Sequence, residues 1–228
     1  MGSPHFTPAT FDYLRDLAAN NRKDWFEANK TLYRTALQEP ALRFVSDFAA
    51  PLQRISRHFR ADPRPLGGSL FRIYRDTRFS KDKSPYKTHI GIQFRHDMGK
   101  DVHAPGYYVH LEPGNVFVAA GIWHPDAATL KRIRDGLVED PAGWKRAARG
   151  RTFTSRFDLS GESLTRAPAG YAADHPLVED LRRKDFIGVC ELSPAAARRA
   201  DFLEECAAIC RAGAPLVRYL CRTLDVPF

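Results

Sequence analysis

The sequence predicts an α+β protein with a central antiparallel β-sheet packed by helices from both ends of the chain. Two observations predict this class. Apolar residues recur about every 3.6 positions in the N-terminal third, which is typical of amphipathic helices, and at every second position in the middle, which is typical of strands. The predicted strands follow one another through turn-like links, so we expect them to pair antiparallel. The sheet is predicted over about residues 70–123, with further strands from 152–192.

The composition indicates an ordinary folded protein. Of the 228 residues, 43% are hydrophobic and 27% are charged, which excludes a disordered chain. The sequence has no internal repeat or linker, so we expect a single domain over residues 1–228. No apolar run reaches the roughly 18 residues that a membrane-spanning helix needs, and the N-terminus lacks a signal-peptide core. We therefore expect a cytoplasmic protein that does not associate with membranes.

The N-terminal segment, residues 7–60, predicts three helices. The first begins at Thr7-Pro8, a favourable N-cap and first-turn pair, and ends at Asn20-Asn21. The second is expected to end near Pro40. The third runs from residue 41 to about residue 58, and a loop rich in Pro and Gly follows it.

The middle segment, residues 70–123, predicts four strands. Their expected ranges are 70–75, 89–96, 107–112 and 116–123. The intervening residues Pro113-Gly114-Asn115 are typical of a short hairpin turn between the last two strands.

The remaining segments are a mixed α/β region, residues 126–192, and C-terminal helices, residues 195–224. In chain order we expect helices at 127–137 and near Trp144, a strand at 152–159, a short helix at 176–182, a strand at 186–192, and helices at 195–212 and 215–224. All four cysteines lie in the last part of the chain and none forms a Cys-x-x-Cys pair. We therefore expect reduced core residues rather than a zinc site.

Strand alternation places a set of polar side chains on one face of the predicted sheet. Its members are Arg72, Tyr74, Asp76, His89, Gln93, Tyr108, His110 and Glu112. Phe71 and Ile73 have the opposite parity, so we expect them beside the apolar residues of the next strand. A face with this mixture of titratable groups is either a lined pocket or a solvated surface.

The link between the first two predicted strands, residues 76–88, is longer than the two to five residues of a plain hairpin, and long loops are often functional. The stretch 75–87 carries five Lys or Arg residues against Asp76 and Asp82. This local charge suits an anionic ligand, with Arg giving bidentate contacts and Lys a point charge. The predicted ligand-binding residues are Arg72, Arg75, Arg78, Lys81, Lys83, Tyr86, Lys87 and Tyr108. The alternative is an ordinary charged loop with internal ion pairs.

The candidates for proton transfer are His110, Glu112 and Asp76, because a His or carboxylate near cations can be tuned toward neutral pH. A metal site has less support. His110 and Glu112 could supply two ligands, and the possible third ligands are His89, His103, His124 and His175. We predict no metal and no cofactor. The chain has no phosphate-binding Walker loop, dinucleotide-binding Gly-x-Gly-x-x-Gly or nucleophilic Gly-x-Ser-x-Gly motif.

Several of these stretches resemble the domain of unknown function 2461, a family of conserved hypothetical proteins of bacteria and fungi. The longest is residues 71–89, FRIYRDTRFSKDKSPYKTH. The others are residues 20–26, 107–113, 120–123 and 168–176. The resemblance covers nearly the whole chain and implies one α+β domain. It implies no reaction, and no catalytic residue is carried over from it.

The leading hypothesis is a pocket for an anionic small molecule, such as a phosphorylated one, in a binding protein or an enzyme. A nucleic-acid-binding accessory protein is the first alternative, favoured by the net charge of +8 and by the basic residues of 145–156. A non-catalytic interaction module is the second. The sequence does not predict an oligomeric state.

Overall fold

The computed structural model describes residues 3–98 and 104–228. The α-helices of this part of the chain are α1 (Pro8–Ala19), α2 (Lys23–Ala28), α3 (Lys30–Tyr33), α4 (Glu39–Gln53), α5 (Ala127–Glu139), α6 (Pro141–Arg149), α7 (Arg151–Thr154), α8 (Val178–Leu181) and α9 (Phe202–Thr223). The strands are β1 (Phe59–Arg60), β2 (Ile90–His96), β3 (Gly106–Glu112), β4 (Asn115–Ile122), β5 (Asp158–Ser160) and β6 (Phe186–Leu192). None of the described helices is both long and apolar enough to span a membrane.

The strands form a single six-stranded sheet in the order β1-β2-β3-β4-β6-β5, and every neighbouring pair is antiparallel. This confirms the predicted α+β class with an antiparallel sheet. The predicted hairpin turn joins β3 to β4, with Glu112 opposite Asn115. Gly114 has φ of 84° there, a left-handed conformation that glycine adopts without steric cost.

One face of the sheet is apolar and packs against α4 and α9. The ring of Phe48, from α4, stacks on Phe94 of β2 with 4.5 Å between centroids. At Gly213 of α9, an added Cβ would lie 2.6 Å from the Cβ of Ala120 on β4, so the helix and sheet backbones approach closely. The buried apolar side chains form one connected cluster.

The other face carries the polar side chains of β2 and β3, and a short stretch of chain covers its edge. The Phe71 amide donates to the Gly91 carbonyl at 2.9 Å, and the Gln93 amide donates to the Ser69 carbonyl at 2.8 Å. β1 pairs with the far end of the same edge, where Phe59 lies opposite His96. Residues 69–71 and β1 therefore occupy the edge of β2 end to end.

The prediction of a regular strand at residues 70–75 is wrong. The structure has only isolated bridges there, between Leu70 and Ile92 and between Tyr74 and Tyr86. After Phe71 the chain leaves the sheet and pairs with its own returning arm, where the Arg75 amide donates to the Pro85 carbonyl at 2.9 Å. The predicted parity of Phe71 is wrong for the same reason. Its ring lies on the polar face, 5.8 Å from that of Tyr108.

The prediction of a continuous strand at 152–159 is wrong. The first residues of this range form α7, and only Asp158–Ser160 pairs with β6. The three-residue pairing opposite Val189 and Gly188 leaves the strand too short to account for the predicted range.

Two prolines lie inside helices that the sequence pattern divides. The chain stays helical past Pro40, through a π-helical turn at Arg34–Gln38 into α4. Pro40 has no N–H to donate to the Ala36 carbonyl, and the buried hydroxyl of Thr10 donates to that carbonyl instead, at 2.7 Å. Likewise α9 continues through Pro215, so one helix stands where two were predicted.

Candidate functional site

A chain of polar contacts runs along β3. The register places Gly91 opposite His110 and Gln93 opposite Tyr108, as strand parity predicted for one face. The Tyr108 hydroxyl lies 3.1 Å from His110 Nδ1, and His110 Nε2 lies 3.4 Å from Glu112 Oε2. A carboxylate can only accept, so Nε2 of the neutral ring carries the proton and Nδ1 accepts from Tyr108.

The outer end of this chain is held by a residue that precedes β2. The Thr88 hydroxyl donates to Glu112 Oε1 at 3.1 Å, while Glu112 Oε2 faces His110. Both carboxylate oxygens are therefore engaged. The ring of Phe117, from β4, stacks on His110 with 4.6 Å between centroids, which fixes the imidazole plane. The imidazole is held by two neighbours on its own strand and by Phe117 of β4.

Glycine at position 91 makes room for the Tyr108 side chain. A Cβ built there would meet the Tyr108 hydroxyl at 2.6 Å and the Phe71 ring at 3.0 Å. Contacts this short do not occur without displacement of a neighbour. The absence of a side chain at Gly91 is therefore a condition for the Tyr108–His110 contact.

His89 lies beside this chain, with 4.5 Å between its ring centroid and that of His110. The pKa of His89 is lowered to about 4, chiefly by burial and next by the neighbouring His110, against a smaller opposing effect of Glu112. Burial also lowers the pKa of His110, partly offset by Glu112. Both rings are neutral at pH 7. Neither ring nitrogen of His89 has a hydrogen bond to another described residue, so this imidazole is available to a ligand.

Two cations act on His89, and a third acts on one of them. Lys87 and Arg75 both contribute to the lowered pKa of His89, which shows that their charge reaches the imidazole. Lys87 Nζ donates to the carbonyls of Arg72 and Tyr74 at 2.7 and 3.0 Å. Burial lowers the pKa of Lys87, as do the charges of Arg72 and Arg75. The charges of Arg72 and Arg75 therefore act on Lys87, and of these three cations only Arg75 has a carboxylate partner among the described residues, Asp82.

The tip of the loop is paired internally, as the alternative reading predicted. Asp76 accepts two hydrogen bonds from the Arg78 guanidinium at 3.0 and 2.7 Å, and this interaction lowers the pKa of Asp76 to about 2. Arg75 pairs with Asp82. Lys83 Nζ donates to a backbone carbonyl at 2.9 Å.

The predicted residues of the tip are not brought to His110 by any contact. Asp76 makes no hydrogen bond or salt bridge with Tyr108, His110 or Glu112 in the part of the chain that the structure describes. Lys81 is exposed and has no hydrogen bond or salt bridge to another described residue. The structure thus separates the loop into a paired tip and a basal cluster of cations near His89.

Tyr86 anchors the loop to the N-terminal helices. Its buried ring stacks on Phe26 with 4.1 Å between centroids. The Asn21 side chain bonds both backbone groups of Tyr86, donating to the carbonyl at 2.9 Å and accepting from the amide at 3.0 Å. The ring predicted to orient a ligand therefore packs in the core.

The structure also locates the histidines considered as metal ligands. His124 lies 2.9 Å from the buried carboxylate of Asp185, and His175 Nδ1 accepts from the Leu177 amide at 3.1 Å. His103 lies outside the described residues.

A different group has its ligand atoms within 4.8 Å of one another: His58, His96 and Asp97. His96 Nε2 lies 2.7 Å from the Pro227 carbonyl, and the Met98 amide donates to His96 Nδ1 at 3.1 Å. Both nitrogens of this ring are thus already engaged. Sequence reasoning missed the group because its two histidines are far apart along the chain and carry no spacing signal.

Two clefts lie elsewhere on the described surface. One, of about 280 Å³, is lined by Arg60, Asp62, Arg64, Gly67, Ser69, Arg95, His96 and Asp97. The other, of about 430 Å³, lies between α6 and α9 and is lined by Gly143, Arg146, Ala147, Arg211, Ala214, Pro215, Arg218, Tyr219 and Arg222. Neither includes Tyr108, His110 or the loop. Of the arginines in the second cleft, sequence reasoning noticed only Arg146, as part of the basic stretch 145–156.

The comparisons with known proteins identify a family but no activity. The family model described as "Conserved hypothetical protein (DUF2461)" matches residues 9–219. The chain therefore belongs to this family. Neither the curated proteins nor the solved structures contain a significant match.

Proposed function

We propose that this member of the DUF2461 family binds an anionic small molecule, such as a phosphorylated metabolite, beside His89 on the polar face of β2 and β3. One observation carries the proposal: a neutral, half-buried imidazole without a hydrogen-bond partner among the described residues lies beside Arg75 and Lys87. Asp82 pairs with Arg75, but Lys87 has no carboxylate partner among the described residues, and positive charge in a partly buried place attracts anions. The four cysteines are free, which fits a reducing compartment such as the cytoplasm.

Arg72 is the residue best suited to hold the anion. Its guanidinium is exposed and makes no hydrogen bond or salt bridge with another described residue. Its charge nevertheless contributes to the lowered pKa of Lys87, so it lies near the basal cations. A free guanidinium offers a phosphate or carboxylate two parallel hydrogen bonds.

His89 would exchange the proton. A bound anion offsets the charges of Lys87 and Arg75, so binding raises the pKa of His89 and favours proton uptake. The Tyr108–His110–Glu112 chain holds the neighbouring imidazole in one tautomer. If the protein is an enzyme, His89 is its general base or acid, because a group with this environment can be tuned by the ligand itself.

A thermal-shift screen with phosphorylated and carboxylated metabolites tests the proposal. A ligand at 100 times its Kd stabilises the folded state by about 2.7 kcal/mol. We expect a stabilising anion for the wild type and a much smaller effect in Arg72→Gln. Lys81→Gln is the matched control, since Lys81 is an exposed, unpaired cation at the tip of the same loop.

NMR spectra of the histidine side chains show whether the ligand binds beside His89. The imidazole signals of His89 are assigned by comparison with the spectrum of His89→Gln. We expect them to shift on saturation with the ligand found in the screen. The proposal fails if no anion of the screen stabilises the protein. It also fails if the stabilisation is equal in Arg72→Gln, or if the His89 signals stay in place.

A further inference from the structure

The cleft between α6 and α9 is lined by positive charge alone. Its charged lining residues are Arg146, Arg211, Arg218 and Arg222, and none of its lining residues is acidic. Arg146 comes from α6, whereas the other three come from α9. Positive charge therefore stands on both walls of a cavity of about 430 Å³.

The residues that α6 and α9 turn toward the cleft are mostly small, so their side chains leave this space open. Gly143 and Ala147 line it from α6, and Ala214 and Pro215 line it from α9. The buried ring of Tyr219 also lines the cleft, and its hydroxyl donates to the Gly136 carbonyl at 2.8 Å. One wall residue of the cleft is thus fixed in place by a hydrogen bond between α9 and α5.

The four arginines of the cleft differ in how their guanidinium groups are engaged. Arg222 pairs with Asp140 and lies over the Tyr219 ring, 5.3 Å from its centroid. The Arg218 guanidinium lies 4.6 Å from the centroid of the Phe228 ring. Arg146 and Arg211 make no hydrogen bond or salt bridge with another described residue.

Asp140 does not line the cleft, but its carboxylate forms a salt bridge with one of these arginines, Arg222. Its carboxylate already accepts a hydrogen bond from the Gly143 amide at 2.8 Å, in addition to its contact with Arg222. The charge of Arg146 also lowers the pKa of Asp140, so this one carboxylate faces more positive charge than it can balance. Like charges collected around one cavity repel each other, and an anion between them relieves this repulsion.

We propose that this cleft binds a small molecule that carries two linked phosphate groups. A guanidinium is the side-chain group that best matches a phosphate, because its planar fork gives two parallel hydrogen bonds. Unpaired guanidinium groups on both walls, from Arg146 and Arg211, suit a ligand with two anionic groups. The volume lies in the range of small-molecule sites. The cleft belongs to the helical layer, whereas His89 lies beside His110 of the polar sheet face, so the two sites are separate.

Calorimetric titration of the full chain with inorganic pyrophosphate at low ionic strength tests this proposal. We expect the wild type to bind, and the double variant Arg146→Gln/Arg211→Gln to bind at least about tenfold more weakly. Neither substitution removes a hydrogen bond or salt bridge with another described residue, so the variant should fold, which circular dichroism checks. Lys145→Gln is the matched control: it removes an exposed cation of α6 that does not line the cleft, and we expect unchanged affinity.

Arg72→Gln distinguishes the two proposed sites. We expect it to leave pyrophosphate binding to the cleft unchanged, whatever its effect beside His89. The proposal is overturned if pyrophosphate does not bind, or if the double variant binds it as well as the wild type. Orthophosphate binding as tightly as pyrophosphate overturns the requirement for two linked groups. Affinity that increases with the length of a DNA duplex, and is lost in the double variant, would instead assign the cleft to nucleic acid.

Discussion

The side chain of Tyr108 reaches His110 only because position 91 is glycine, and this gives a prediction for Gly91→Ala. The new methyl group would lie 2.6 Å from the Tyr108 hydroxyl, so the ring must move and lose its 3.1 Å contact with His110. We expect a loss of about 1–3 kcal/mol in the free energy of unfolding, the usual range for overpacking. Urea unfolding measures it.

A double-mutant cycle with Tyr108→Phe separates this contact from general crowding at Gly91. Without the hydroxyl, the Gly91→Ala substitution should cost less, because its shortest contact is gone. An equal cost in both backgrounds would contradict the role assigned to Gly91. The Phe71 ring would then be the group that resists the methyl, since it lies 3.0 Å from the same position.

The buried His89 gives a prediction about acid stability. Its pKa is lowered from 6.5 to about 4 in the folded protein, so the unfolded chain binds more protons between these values. The stability due to the neutral ring is complete above about pH 6.5 and falls as the pH decreases toward 4. Between pH 7 and pH 5, His89 can lower the free energy of unfolding by at most about 2 kcal/mol. Because the ring is only partly buried, solvent screening reduces this loss to about 1 kcal/mol.

We therefore expect His89→Gln to lose less stability than the wild type between pH 7 and pH 5, as measured by urea unfolding at both pH values. His175→Gln, which changes a histidine outside the site, serves as the control and should follow the wild type. A wild-type loss that persists in full in His89→Gln would show that another group is responsible.

At the scale of elements, the position of the loop of residues 76–88 depends on Asn21, which lies between α1 and α2. The side-chain amide of Asn21 forms hydrogen bonds with both the backbone N–H and the carbonyl of Tyr86, as a paired strand would. In Asn21→Ala these groups lose their partner, and an unsatisfied buried group costs about 1–3 kcal/mol. We expect a loss of about 2 kcal/mol by urea unfolding and faster hydrogen exchange at the Tyr86 amide.

Asn20→Ala is the control for this substitution. The Asn20 side chain donates only to the exposed Asp16 carbonyl at 2.9 Å, so we expect a change within about 0.5 kcal/mol. Slow exchange at the Tyr86 amide in Asn21→Ala would mean that the stacking on Phe26 is sufficient to hold the loop.

Elements whose pairing is local were predictable from the sequence. The β3–β4 hairpin follows from Gly114 in its turn, and β6 matches its predicted range because most of its residues are apolar, with β-branched Ile187 and Val189 at its centre. Residues 70–75 have the same extended pattern, but a pattern does not say whether a partner strand is free. The edge of β2 is shared with β1, so only a short pairing forms.

The site was predictable only in part, and for a related reason. Alternation along β3 correctly grouped Tyr108, His110 and Glu112, because the side-chain period of a strand is fixed. The importance of His89 could not be seen, since its lowered pKa comes from burial and from its packing on His110. Burial and contact between strands are properties of the tertiary structure.

At the scale of the molecule, the two proposed sites lie on different layers. α9 packs on the apolar face of the sheet through Gly213, while His89 belongs to the other face. The arginines of the cleft come from α6 and α9, which are distant in sequence, so no local sequence motif predicts that they lie together. Charge that is scattered along the chain becomes concentrated only when the helices pack.

The end-to-end occupation of the β2 edge has a consequence for solubility. An exposed edge strand offers unpaired amides and carbonyls to strands of other molecules, which is a common start of aggregation. Residues 69–71 use the backbone groups of Gly91 and Gln93, and β1 uses the end of the strand. At the opposite edge, β5 has only three residues. Both borders of the sheet are therefore short or occupied, which protects the protein against self-association as long as residues 69–71 stay in place.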